Sequence, residues 1–230
     1  MRHCWTGLMV GALAVGVSGN LAAQQGVALT PYIGYLSPMG NLVDQNNSSC
    51  CLTVKAKPGI QVGAIGELNM SKHFAISAFA ASTVGLTQTA EFNFNTASTT
   101  GLLKLGLATT QFGGTFIIRP LGRNPNGSPK VFFLEAGAAY TRLSFSDVQD
   151  RTNGNTASPS WGWSGGMGVF GGGFTFRVGP RSTLVLFGRY NMMLSTYSSA
   201  GLDDWNSQPP PDTPKKSNML FFGAGLRTGR

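Results

Sequence analysis

The chain has 230 residues, with 17 Lys and Arg against 9 Asp and Glu, for a formal charge of +8. Charged residues make up 11% and glycines number 32, against the roughly 25% charged content of ordinary soluble domains. Beyond the first segment no apolar run reaches the roughly 18 residues of a transmembrane helix. A soluble β-sandwich or barrel remains, or a barrel whose outer wall faces lipid.

Residues 1–23 read as an export signal. Arg2 and His3 precede an apolar core, Leu8–Val17, and Leu21-Ala22-Ala23 offers small residues for cleavage before Gln24. That core is too short to span a bilayer, which disfavours an uncleaved anchor helix. Cys4 lies ahead of the core, where lipid attachment could not occur, so no lipoprotein is expected. Removing Arg2 with the signal leaves 16 basic and 9 acidic residues in 24–230, which is read as a single domain.

Strand-like segments then recur at 27–37, 57–70, 73–86, 104–119, 130–145, 164–178, 183–197 and 217–229, rich in Gly, aromatic and aliphatic residues. Connections at 71–72, 120–129 and 179–182 are short. Those at 38–56, 87–103, 146–163 and 198–216 are long and rich in Asn, Ser, Thr, Asp and Pro. Short and long alternate strictly, as in an up-and-down barrel with turns at one end and loops at the other.

Within the strands, apolar and polar residues separate by parity. Ile60, Val62, Ala64, Leu68 and Met70 oppose Gln61, Glu67 and Asn69. Phe132, Leu134, Ala136, Ala138 and Tyr140 oppose Glu135, and Leu184, Leu186, Tyr190 and Met192 oppose Arg189 and Asn191. One face can therefore meet lipid and the other a polar lumen. A soluble lipocalin-like barrel would reverse the two faces, and parity alone does not separate these readings. Aromatic placement favours lipid. Phe132, Phe174 and Phe176 lie near the short turns, while Tyr35, Tyr140, Trp161, Trp163, Tyr190 and Tyr197 lie toward the long loops, as two interfacial belts require.

Charge is also sided. Lys72, Arg119, Arg123, Lys130, Arg177, Arg181, Arg227 and Arg230 lie near the short turns and C-terminus, with no acid among them. The loop side carries seven cations and seven acids. Cations at the turn end suit anionic phospholipid headgroups. Nucleic acid is not expected as a partner of an exported chain.

On these features residues 24–230 resemble the small eight-stranded outer-membrane barrels, the group of the OmpA transmembrane domain, OmpX and OmpW. The resemblance implies an all-β, eight-stranded antiparallel transmembrane β-barrel, an up-and-down meander, in a bacterial outer membrane. It implies contact with outer-membrane lipids and lipopolysaccharide. The last strand, Asn218–Thr228, looks like the segment that barrel-assembly machinery recognises, although the chain ends on Arg230 rather than an aromatic residue. A monomer is expected.

Little here supports catalysis. Some barrels of this shape act on lipopolysaccharide through an outer-face His; His73, alone after the signal, sits beside a short turn. No metal or other cofactor is expected, since no carboxylates or imidazoles cluster at ligand spacing. The glycines of Gly165–Gly173 lie inside a strand with no helix following, so they suit close packing rather than phosphate binding. Cys50 and Cys51 are adjacent in the first long loop, where an oxidising compartment favours and strain opposes a vicinal disulfide.

Glu67, Glu135 and Arg189 are read as a luminal cluster at similar height, with Arg189 pairing the carboxylates and Gln61, Asn69, Gln111 and Asn191 completing the hydrogen bonding. Such a cluster is either a gate or a polar filling of a barrel too narrow for an open channel. The expected role is non-enzymatic: an envelope-structural protein, or a narrow conduit for small solutes, apolar ones if the OmpW likeness extends to activity. The rival expectation is a surface-interaction protein whose loops present Phe92, Phe94, Trp161, Trp163 and Trp205.

Overall fold

The computed structural model describes residues 26–47, 50–84, 87–96, 100–122, 132–150, 156–157, 161–179, 182–195, 198–200 and 217–229. The expected export signal at 1–23 lies outside them, as do Arg123, Lys130, Arg181, Tyr197, Trp205 and Arg230. Among the described residues no helix is long and apolar enough to cross a membrane, which says nothing of strands.

In chain order the strands are β1 (Val27–Met39), β2 (Val43–Asn47), β3 (Cys50–Ala56), β4 (Gly59–Asn69), β5 (Phe74–Thr83), β6 (Thr89–Thr96) and β7 (Thr100–Ile118). They continue with β8 (Phe132–Asp150), β9 (Thr156–Ala157), β10 (Trp161–Arg177), β11 (Ser182–Met193), β12 (Ser198–Ala200) and β13 (Asn218–Gly229). Eight of them, β1, β4, β5, β7, β8, β10, β11 and β13, pair in that order as antiparallel neighbours, and β13 returns to β1. The sheet is therefore a closed up-and-down barrel, which leaves none of these strands with a free edge along the ring.

Following register partners once around the ring leads from Ala28 through Glu67, Ser77, Thr115, Gly137, Val169, Asn191 and Met219 to Pro38. The path returns to β1 ten residues from its start, so the strands are strongly tilted and the lumen is narrow enough for side chains to fill.

Side-chain direction follows the period of two. On β5, Ala75, Ser77, Phe79, Ala81 and Thr83 are buried, while Phe74 and Ile76 are exposed. Ile33, Tyr35, Leu68, Phe112, Phe116, Leu134, Phe170, Phe174, Leu186, Phe222 and Leu226 are exposed around the wall. An apolar exterior around buried charged side chains is the arrangement of a lipid-facing barrel and the reverse of a lipocalin. Aromatic pairs brace this exterior: Phe132 with Phe174 and Phe74 with Phe116 near the turn end, and Phe112 with Tyr140 higher up.

The long connections differ from expectation. The stretches 38–56 and 87–103, read as polar loops, carry β2, β3 and β6, which continue the sheet beyond the rim in the order β2-β3-β6-β7. The β1–β4 hairpin is in effect prolonged by β2–β3 and interrupted at the rim, where Gly40 takes a φ of 86°. Leu42, Val54, Ala56, Ala90 and Leu105 are buried there. Both β7 and β8 reach further on the loop side than expected, with a register irregularity at Leu105/Gly106. Threonine and β-branched residues favour strands even in polar surroundings, so polarity alone was a poor guide to a loop.

Candidate functional site

The inward faces of the eight barrel strands bring the buried charges of the described residues together in the turn-side half of the lumen. Two clusters form, at different heights.

The first joins β8 and β11. Arg189 donates from Nε to Glu135 Oε1 at 2.6 Å and from Nη2 to Glu135 Oε2 at 2.9 Å, a bidentate fork. Glu135 Oε2 also accepts from Thr115 Oγ1 at 3.0 Å, and Thr115 shares a hydrogen bond with Ser77. Aromatic faces hold the guanidinium: its carbon lies 4.3 Å from the ring centre of Phe79 and 5.1 Å from that of Phe187. Tyr32, Phe187 and Phe221 pack against one another beside it. Arg suits this position because its flat, weakly hydrated cation can stack and fork at once.

Backbone spacing makes room for the pair. A Cβ at Gly171 would stand 3.0 Å from Glu135 Oε1 and 3.1 Å from Arg189 Cγ. A Cβ at Gly63 would meet the Tyr32 hydroxyl at 2.7 Å. These inward glycines let bulky partners cross a narrow tube.

The second cluster lies nearer the turns. Glu67 Oε1 accepts from Nη2 of both Arg119 and Arg227, and all three side chains are buried. The expected pairing of Glu67 through Arg189 is not made; Arg189 belongs to Glu135 alone of the two carboxylates. Arg119 and Arg227 were expected to face lipid headgroups, and instead they turn inward. Glu67 supplies the reason, since a carboxylate buried without a cation would be strongly disfavoured. Parity was the missed signal: Arg227 opposes Leu226, and Arg119 shares the face of Gln111 and Thr115. Lys72 and Arg177 do remain exposed at the turn end.

The remaining polar residues divide between the ends. Gln61 donates to Gln111 at 3.3 Å, and Gln111 in turn reaches Thr141 and the sulfurs of Met167 and Met219. Asn191 is buried in the same upper tier, and its Oδ1 has no partner. Asn69 sits at the turn end, donating to the Gly26 carbonyl at 2.8 Å rather than joining either ion cluster. Between the clusters lies a cavity of about 30 Å³, room for one or two waters.

Of the loop aromatics, Trp163 is not displayed: it is 2% exposed and packs edge-on to Phe145 with ring centres 4.9 Å apart. Phe92, Phe94 and Trp161 occupy strand positions, with side chains outside the described residues, and Trp205 lies outside them entirely. Cys50 and Cys51 are consecutive in β3 and paired on both sides, to Asn47 and Asn46 on β2 and to Thr96 and Asn95 on β6. Their side chains are likewise outside the described residues. His73 is held at the turn, its Nδ1 3.0 Å from the Arg119 carbonyl. Among the described residues no group of His, Cys, Asp and Glu is placed to hold a metal ion.

No protein-family model matches the chain, and no curated protein matches it. Solved structures do. The outer membrane protein OprG from Pseudomonas aeruginosa is similar over 89% of this chain and 97% of its own, with 11% identity and a TM-score of 0.53. Neisserial surface protein A is similar over 90% of this chain and 98% of its own, with 12% identity and a TM-score of 0.52. At such identities the likeness is one of fold.

Proposed function

We propose that this chain, which has the fold of the small eight-stranded outer-membrane β-barrels, is a non-enzymatic protein of a bacterial outer membrane whose lumen is closed at rest. The observation that carries this reading is the pair of buried ion clusters spanning the lumen, with a cavity of only about 30 Å³ between them. Interstrand ion pairs and stacked aromatics tie β4, β7, β8, β11 and β13 across the tube. That suits an envelope-structural role, with lipids and lipopolysaccharide as the surroundings of the apolar wall. Solutes would pass only if both clusters rearranged, so conduction belongs to a gated minor state and not to the resting barrel.

Fractionation is the first test. The protein should pellet with outer membranes after carbonate washing and change gel mobility on heating; recovery in the soluble periplasm would overturn the reading. Planar-bilayer recording of the folded protein beside Glu67→Ala and Arg189→Ala tests closure. A wild type that is silent or nearly so, with discrete conductances in the variants, fits a lumen shut by these residues. A large, steady wild-type conductance would sink it.

A second reading rests on the sheet extension. β2, β3 and β6 raise a paired platform beyond the rim, a more ordered display than free loops would give. On this reading the barrel presents a surface for recognition. Deleting residues 41–56 should then abolish binding to a surface partner while leaving heat-modifiable folding intact.

A further inference from the structure

The luminal charges do not balance. Arg119, Arg189 and Arg227 line the cavity together with Glu67 and Glu135, three cations against two anions. Arginine does not give up its proton in proteins, so the excess is at least one positive charge. Among the described residues no further carboxylate side chain lines this cavity. Of the nine Asp and Glu residues, the other seven lie at 44, 91, 147, 150, 203, 204 and 212, in the loop-side segments.

The excess can be located. Arg189 and Glu135 satisfy each other through a two-point fork. Arg119 and Arg227 instead converge on one oxygen of Glu67, so the surplus lies in that cluster. Arg119 is 1% exposed, and its Nη1 is buried with no hydrogen-bond partner. A buried guanidinium nitrogen left unpaired in a low-dielectric lumen is strongly disfavoured.

We infer that the cavity walled by Arg119, Arg227, Glu67 and the Glu135–Arg189 pair binds one small monovalent anion of the halide class. Its volume of about 30 Å³ exceeds the roughly 10–15 Å³ needed for a single water, and it suits one monatomic ion better than a polyatomic solute. Ile65, Ile117 and Val185 supply apolar wall that offers nothing to a sugar or peptide. Water could satisfy the Arg119 donor but would leave the net charge unchanged. An anion does both. This inference concerns the closed lumen and holds whether or not the barrel ever conducts.

The test uses the whole protein folded in detergent, with sodium chloride compared with sodium gluconate at equal ionic strength. The unfolding midpoint should rise with chloride and saturate, while gluconate, too large for the cavity, produces no saturable rise, as binding linkage requires. Arg119→Gln removes the surplus charge and should weaken the apparent chloride affinity by about tenfold or more, the loss expected for one charge-assisted hydrogen bond. Should that variant fail to fold, crystals of the wild-type protein soaked in bromide provide an independent reading, an anomalous peak beside Arg119 Nη1. Identical responses to chloride and gluconate would overturn the inference. So would a chloride response that Arg119→Gln retains in full, or bromide found only at the surface with water in the cavity.

Discussion

Arg189 grips Glu135 through two nitrogens, at 2.6 and 2.9 Å, while its guanidinium lies 4.3 Å from the centre of the Phe79 ring. One side chain thus serves an ion pair and an aromatic stack, which ties β11 to β8 and β5 across the lumen. Both side chains are almost fully buried, out of reach of bulk water.

Breaking this pair from one side should be expensive. Arg189→Met and Glu135→Gln are each expected to lower stability by about 3–5 kcal/mol, because each strands the other group. The double variant should cost clearly less than their sum, with a coupling of about 0.5–3 kcal/mol. Urea unfolding of the barrel in lipid vesicles measures all three. Strict additivity would mean that the contact does not couple the two residues.

Glu67 should behave asymmetrically toward its two arginines. Glu67→Gln leaves two buried guanidiniums facing each other and should cost about 3–5 kcal/mol. Arg227→Gln should cost less, about 1–3 kcal/mol, because Arg119 stays on the carboxylate and the local surplus of positive charge disappears. The same unfolding measurement ranks them. A larger loss in Arg227→Gln than in Glu67→Gln would contradict the sharing geometry.

The barrel itself was legible because a tube with lipid outside and charge inside enforces a period of two on every strand. Gln61, Glu67, Glu135, Arg189 and Asn191 all fall on the buried side that parity assigns them. What parity could not supply is height. Strand tilt moves the ring ten residues along β1 in one circuit, so residues equidistant from their turns need not meet. That is why Glu67 and Arg189, read as neighbours, belong to different clusters. Arg119 and Arg227 read as headgroup cations for another reason: they sit at or near strand ends, where cations ordinarily face water or headgroups. The rim extension was hidden by its Asn, Ser and Thr content, which resembles a loop until the pairing is seen.

Glycine in β10 provides a test of lumen packing that changes no charged residue. An added Cβ at Gly171 would lie 2.5 Å from the Gly188 carbonyl oxygen, a backbone atom of the next strand. Gly171→Ala should therefore destabilise the barrel by about 1–3 kcal/mol through overpacking. Five residues earlier, a Cβ at Gly166 meets nothing nearer than Ser195 Oγ at 3.8 Å. Gly166→Ala should stay within about 0.5 kcal/mol of wild type. Equal effects at the two sites would show that strand propensity, and not the close approach at Gly171, decides the outcome.

Trp163 separates a core role from a display role. Its position near the loop end suggested a recognition aromatic, yet its ring is buried against Phe145 within the cluster that includes Leu143, Met167 and Met193. Inward parity on β10 explains this, since Trp163 shares the face of Met167, Val169 and Gly173. Trp163→Ala should cost about 3–5 kcal/mol by cavity formation, with the loss visible in the unfolding midpoint of the unliganded barrel. Trp163→Phe should recover most of it by preserving an aromatic partner for Phe145. If Trp163→Ala instead left stability untouched and weakened only the binding of a surface partner, the ring would belong to the outer surface and the packing assigned to the upper lumen would be wrong.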